Sequence, residues 1–327
     1  MMAETGAMDV TQSLLQLPIR FDAGRLQAEV RALPADAWRP HPQGFAGNDA
    51  VPLVAPAGLA TDHFDGNMGA TDYLRQCPYI VALMDELGAV WGRSRLMGLA
   101  AGAQVPLHVD IHYYWRTHIR LHIPVFTNDA VSFTVDGDTV HMRPGECWTF
   151  NSFKLHEVHN RGDNHRVHLV LDTVGGDRLI DLIQRAQGGA TPPDQPWQPT
   201  EGRQPALRFE QFNSPAVMTP WEIESHLRYL ERHLVDPEAL APLRPRLERF
   251  LSAWQAAWSE HGDTGAGLPQ YADLLRTTRL DLMANGSTTA MLHNEAPLQR
   301  ALDALVFNQA IKRERATAAA PAEPLVP

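Results

Sequence analysis

A chain of 327 residues with 44% hydrophobic and 20% charged side chains has the balance of a globular protein with a sizeable core, and not of a disordered one. Its 28 basic against 38 acidic side chains leave a formal charge of −10 with no Lys/Arg-dense block, which argues against a nucleic-acid partner. Two distant cysteines, Cys77 and Cys147, exclude a disulfide framework and fit a reducing cytoplasm, the opening MMAETGAMDVTQ does not read as a signal peptide, and no apolar run reaches the roughly 18 residues of a membrane span.

In chain order, 14–21 (LLQLPIRF) reads as a strand, and Asp22 caps a helix, AGRLQAEVRAL, that stops before Pro34. The stretch 34–70, rich in Pro, Gly, Asn and Asp, reads as irregular, and 71–91 as helical. From Arg95 to Asp172 the texture turns to strands. Arg95–Ala101 is one, and 105–111 (VPLHVDI) another, at a rim. Arg116–Val125 alternates strictly, with His118, Arg120 and His122 on one face and Ile119, Leu121 and Ile123 on the other. Val131–Val135 and Asp138–Met142 flank Asp136-Gly137, the dipeptide of a type I′ hairpin. Glu146–Phe150, Leu155–His159 and Arg166–Asp172 complete seven or eight short strands. These predict a mainly β core with flanking helices, a double-stranded β-helix of the jelly-roll/cupin kind, within 1–187.

A short helix starts near Asp177 and ends at Gly188-Gly189. Residues 188–210 read as a Pro-rich linker and 211–314 as a small helical C-terminal domain, opened by the Thr219-Pro220-Trp221-Glu222 capping box. Its tryptophans, Trp221, Trp254 and Trp258, are expected in the core. Residues 315–327 read as a disordered tail.

Fifteen histidines is high usage, and nine lie between 108 and 168. His108-Val109-Asp110 on a strand puts an imidazole and a carboxylate on one face. A second histidine on a neighbouring strand would complete the 2-His-1-carboxylate set of non-haem Fe(II) oxygenases, which leaves coordination positions open. His156 is the favoured partner. His159 stands on the opposite face by strand parity, and His168 is a further rival. Ten residues past His156, Arg166 opens an apolar strand, where a dicarboxylate such as 2-oxoglutarate would neutralise it; a salt bridge to Asp129 or Asp163 is the structural alternative. Arg120 and His122 face inward, either onto a ligand or as a polar layer of the core.

The stretch Pro106–Asp172 resembles the aspartyl/asparaginyl β-hydroxylase family of Fe(II)/2-oxoglutarate dioxygenases. The likeness lies in PLHVD, THIRLHIPV, GECWTFNSFKLHEVHN and RVHLVLD, in that order. It implies that His108 and His156 bind iron, that Arg166 pairs with the distal carboxylate of the co-substrate, and that Arg120 and His122 line the pocket. The animal members have Gly where this chain has Asp110. Here the triad His108, Asp110 and His156 is complete, as in bacterial cis-proline hydroxylases, which the layout also resembles. A serine that helps hold the co-substrate in the animal enzymes is replaced by Met97.

The expectation is therefore an Fe(II)/2-oxoglutarate-dependent hydroxylase using O2, with ascorbate as a supporting reductant. Its substrate would be an amino acid, free (L-proline-like) or in a peptide, with no nucleic-acid or membrane partner and with room for a homo-oligomer. A cupin-like metal protein that does not use 2-oxoglutarate is the rival.

Overall fold

A computed structural model describes residues 13–41, 44–213 and 215–312. The expected tail lies outside the described residues. Two compact units fall within Met1–Val109 with Thr117–Asn213, and within Asp110–Arg116 with Ser214–Ala319.

Among the described residues the first unit has thirteen strands. These are β1 (Leu14–Arg20), β2 (Arg39–Pro40), β3 (Asn48–Pro56), β4 (Met68–Ala70), β5 (Val90–Leu99), β6 (Gln104–His108) and β7 (Ile119–Phe126). They continue with β8 (Val131–Val135), β9 (Asp138–Val140), β10 (Glu146–Phe150), β11 (His156–Asn160), β12 (Arg166–Gly175) and β13 (Arg208–Phe209). Nine form a major sheet in the order β1-β10-β7-β12-β5-β3-β2, with β4 beside β3 and β13 beside β5. Four form a minor sheet, β6-β11-β8-β9. Among the described residues every pairing except β13 with β5 is antiparallel. This is the mainly β, jelly-roll architecture expected from the strand pattern.

Side-chain alternation divides the core in two. Ile119, Leu121, Ile123 and Val125 of β7 and Val167, Leu169 and Leu171 of β12 bury against Leu26 and Val30, Ile80 and Leu83, and Leu179 and Ile183 of three covering helices. A smaller cluster joins Leu99 and Phe150 of the major sheet to Phe133, Val135 and Val158 of the minor one. On the alternate positions stand Arg120, half-buried, and the buried His122, Arg166 and His168.

Local signals hold where local chemistry dictates them. Asp22 accepts from the Arg25 amide to cap Ala23–Ala32, and Thr219 accepts from the Glu222 amide to start Pro220–Arg232. Asp136 and Gly137 both have positive φ (54° and 86°), as a type I′ turn requires.

Four expectations need correction. The stretch 34–70 is not merely irregular: β3 within it pairs with β5 over most of its length. Its Val-Pro-Leu-Val-Ala run is buried throughout and so lacks the alternation that betrays a half-exposed strand. The strand at 116–125 begins only at Ile119, because Tyr113–Thr117 forms a helical turn. The Pro-rich stretch 188–210 lies along the first unit: the Trp197 amide donates to the Arg20 carbonyl, its ring packs on Phe21 and Tyr79, and β13 joins β5.

The second unit is helical, with Pro220–Arg232, Arg244–His261 and Leu268–Ala284 as its long members. Trp254 is its centre, packed on Tyr271 and Phe250 and donating from Nε1 to the Met218 carbonyl at 2.9 Å. Trp221 is the fourth correction, at 64% exposed. The buried stripe of its helix runs through Ile223, His226 and Leu230, and Trp221 lies on the far side of it.

Candidate metal centre

His108 ends β6, and the β6–β11 register sets it directly opposite His156, the first residue of β11. The two rings lie 4.1 Å apart between centroids. Each imidazole is oriented from behind by a main-chain carbonyl: Nδ1 of His108 is 2.7 Å from the Pro106 oxygen, and Nδ1 of His156 is 2.9 Å from the Lys154 oxygen. A carbonyl only accepts, so each Nδ1 donates to it and Nε2 is the ring nitrogen left to ligate a metal. Asp110 follows two residues after His108. One ligand atom from each of His108, Asp110 and His156 lies within 4.8 Å of the other two. Two imidazoles and one carboxylate, with carbonyls fixing the ring orientation, are a donor set that suits a divalent first-row metal. Histidine Nε2 lone pairs and a carboxylate oxygen clustered this closely fit ferrous iron well.

The rival histidines are engaged elsewhere. His159 points away and pairs with Glu157 at 3.0 Å. His168 belongs to a second cluster, on the inward positions of β7 and β12.

In that cluster Arg166 is buried, 5% exposed, and among the described residues no carboxylate pairs with it. Asp129, one of the acids that could have bridged it, is instead near His141 at 3.7 Å. The hydrogen bond Arg166 does make runs from Nη2 to Nδ1 of His168, at 2.6 Å. His168 Nδ1 is in turn 3.4 Å from Nδ1 of His122. Nε of Arg166, Nε2 of His168 and Nε2 of His122 are all buried without a hydrogen-bond partner. Three such atoms together are costly, about 1–3 kcal/mol each, unless a ligand or water satisfies them.

Burial also sets the charges. It pulls the Arg166 guanidinium down to about 9. Burial first, and then the neighbouring Arg166, holds both His122 and His168 well below the usual imidazole range, so both rings are neutral. Phe133 and Phe150 stand edge-on to His122 at 5.3 Å and wall the polar cluster off from bulk water.

Arg120 is committed differently. Its Nε donates to Asp172 at 2.9 Å, across the β7–β12 register, and Asp172 is almost wholly buried. Sequence reasoning left this carboxylate out, although Asp172 closes the RVHLVLD run on the same parity as Arg166 and His168. His118 likewise meets a buried acid, Glu210, at 3.0 Å from within the Pro-rich stretch, where nothing local marked it.

Residues 65–175 match the model of the aspartyl/asparaginyl β-hydroxylase family. No curated protein matches the chain at a significant level. Solved structures with detectable likeness include an oxidoreductase of the 2OG-Fe(II) oxygenase family from Burkholderia pseudomallei, at 16% identity over 51% of this chain and 87% of that one, with a TM-score of 0.37. A prolyl-4-hydroxylase from Pseudomonas putida shares 16% identity over 51% of this chain and 95% of its own, with a TM-score of 0.36. The non-heme alpha-ketoglutarate-dependent epimerase of nogalamycin biosynthesis shares 15% over 60% and 93%, again at 0.36. No helix among the described residues is long and apolar enough to cross a membrane. His108, Asp110, Arg120, His122, His156, Arg166 and His168 all fall inside the matched span, and over that span the chain carries the pattern of the aspartyl/asparaginyl β-hydroxylases, a family of oxidoreductases.

Proposed function

We propose that the protein is an Fe(II)- and 2-oxoglutarate-dependent dioxygenase that hydroxylates an unactivated C–H bond of an amino acid, free or within a peptide. The observation that carries this reading is a buried guanidinium with no acidic partner among the described residues, Arg166, on the same barrel as a three-ligand set for a divalent metal. A structural arginine in such a place would have a carboxylate beside it. A dicarboxylate co-substrate supplies that carboxylate from outside the chain.

His108, Asp110 and His156 would hold the ion, with the Pro106 and Lys154 carbonyls keeping both imidazoles turned toward it. When bound, ferrous iron supplies the activation of O2 that couples oxidation of 2-oxoglutarate to succinate and CO2 with transfer of one oxygen atom to the substrate. Arg166 receives the distal carboxylate through charge-assisted hydrogen bonds in a low-dielectric setting. His122 and His168, neutral beside it, add polar contacts without adding charge. Phe133 and Phe150 keep water from the reacting region. Free, buried Cys77 and Cys147 suit a reducing cytoplasm, and ascorbate would serve as the supporting reductant.

A succinate-release assay with Fe(II), 2-oxoglutarate and ascorbate, run against single amino acids including L-proline and against short peptides, tests the proposal. Substrate-stimulated succinate formation matched by a product 16 mass units heavier is the expected result. No stimulation by any member of the panel, together with no bound metal, overturns it.

A further inference from the structure

The Arg166–His168 contact has a direction. Guanidinium only donates, so His168 accepts at Nδ1, and its proton sits on Nε2. Both side chains are almost wholly buried, His168 at 1% exposed. They lie two residues apart on β12, on one face of the strand, so the imidazole stands beside the guanidinium as a fixed strut. Among the described residues no acid competes for Nη2. An arginine side chain is rich in rotamers, and a single well-placed acceptor decides which way its fork faces.

We propose that His168 is a positioning residue for 2-oxoglutarate: its Nδ1 holds Nη2 of Arg166 so that the rest of the fork faces the distal carboxylate. The inference rests on the co-substrate assignment above. The register pairs His168 with Met97 of β5, whose thioether is only a weak acceptor, so the aiming of Arg166 falls to the imidazole. His168 stays neutral, because a protonated ring would present a donor to a donor and break the contact. Burial and the neighbouring guanidinium both favour the neutral form.

The test is calorimetric titration of Mn(II)-loaded protein, without turnover, using two ligands. One is 2-oxoglutarate. The other is 2-oxobutyrate, which keeps the 2-oxo acid and lacks the distal carboxylate. Three variants separate the two ring nitrogens. His168→Asn places an amide oxygen near the Nδ1 position, His168→Gln places its amide near Nε2, and His168→Leu removes both. We expect Leu and Gln to weaken 2-oxoglutarate binding at least about tenfold, the scale typical of lost outer-layer orientation. Asn should restore it to within a few-fold, and 2-oxobutyrate should bind all four proteins alike.

Equal binding of 2-oxoglutarate by wild type and the Gln variant overturns the inference, and so does equal weakening of both ligands. Rescue by Gln and not by Asn would assign the role to Nε2 and also overturn it. Should the Leu variant fold poorly, the Asn and Gln pair carries the comparison, since both keep a polar side chain of similar size. Wild-type protein that binds Mn(II) and no 2-oxoglutarate at all would instead sink the co-substrate assignment itself.

Discussion

Replacing Arg166 by Met keeps an unbranched apolar stem and deletes a charge that no acid among the described residues neutralises. Burial alone brings the guanidinium well down from its usual range, to about 9. At about 1.4 kcal/mol per pH unit, that displacement corresponds to roughly 5 kcal/mol held against the charged form in the ligand-free chain. The substitution also takes the donor from His168 Nδ1, which costs about 1–3 kcal/mol. The balance is a ligand-free protein more stable by roughly 2–4 kcal/mol, in line with other replacements of buried charge by apolar side chains. For a unit of this size that is a rise of several degrees in Tm, at roughly 2–4 °C per kcal/mol. Urea and thermal unfolding of the metal-free protein measure it. The same experiment with Mn(II) and 2-oxoglutarate completes the argument. A ligand at a hundred times its Kd stabilises by about 2.7 kcal/mol, and that increment should be present in the wild type and missing from Arg166→Met. A variant less stable than wild type by more than about 1 kcal/mol, yet still stabilised by 2-oxoglutarate, would show Arg166 to be a structural cation and refute the reasoning.

Three other outcomes follow from the geometry. His156→Ala removes one of two imidazole ligands and should lower Mn(II) affinity by at least about tenfold, measured by calorimetry, with the far-UV circular dichroism unchanged; undiminished metal binding would rule out the triad. Asp172→Asn leaves Arg120 without its buried partner and should cost about 3–5 kcal/mol in urea unfolding, with Arg120→Met in the same chain recovering most of it; a single-variant loss below about 1 kcal/mol would remove the pair from the account of stability. Burial, aided by Arg116, holds His226 of the helical unit down at about 3. The unfolded chain therefore takes up protons before the folded one does. Stability is complete above pH 6.5 and is lost as pH falls toward 3, by up to about 1.4 kcal/mol per pH unit. His226→Leu should flatten that acid limb in unfolding experiments at graded pH, and an unchanged slope would exclude the imidazole as its source.

What could be read from the sequence was whatever a few neighbouring residues decide among themselves. The helix caps at Asp22 and Thr219 and the Asp136-Gly137 turn are local hydrogen-bond and φ requirements, and they appear where the residues stand. Strand parity placed His108 with Asp110 and turned His159 away from His156, because alternation is a property of any extended chain. The spacing to Arg166 marked a cation in an apolar strand. Parity had no means of saying who would stand opposite. The pairing of His108 with His156, of Arg120 with Asp172, and of His118 with Glu210 comes from register and from chain segments up to 92 residues apart. The strand β3 escaped notice for a related reason: buried on both faces, it has no alternation to display. So the sequence determined the ligand types and the strands that bear the two histidines, whereas the strand expected over 105–111 ends at His108 and leaves Asp110 just beyond it. Only the tertiary structure decided that Arg120 would be given a carboxylate while Arg166 would be given a neutral imidazole, since an ion pair depends on what packing brings within reach, and that difference is what leaves Arg166 with charge to spare for a ligand.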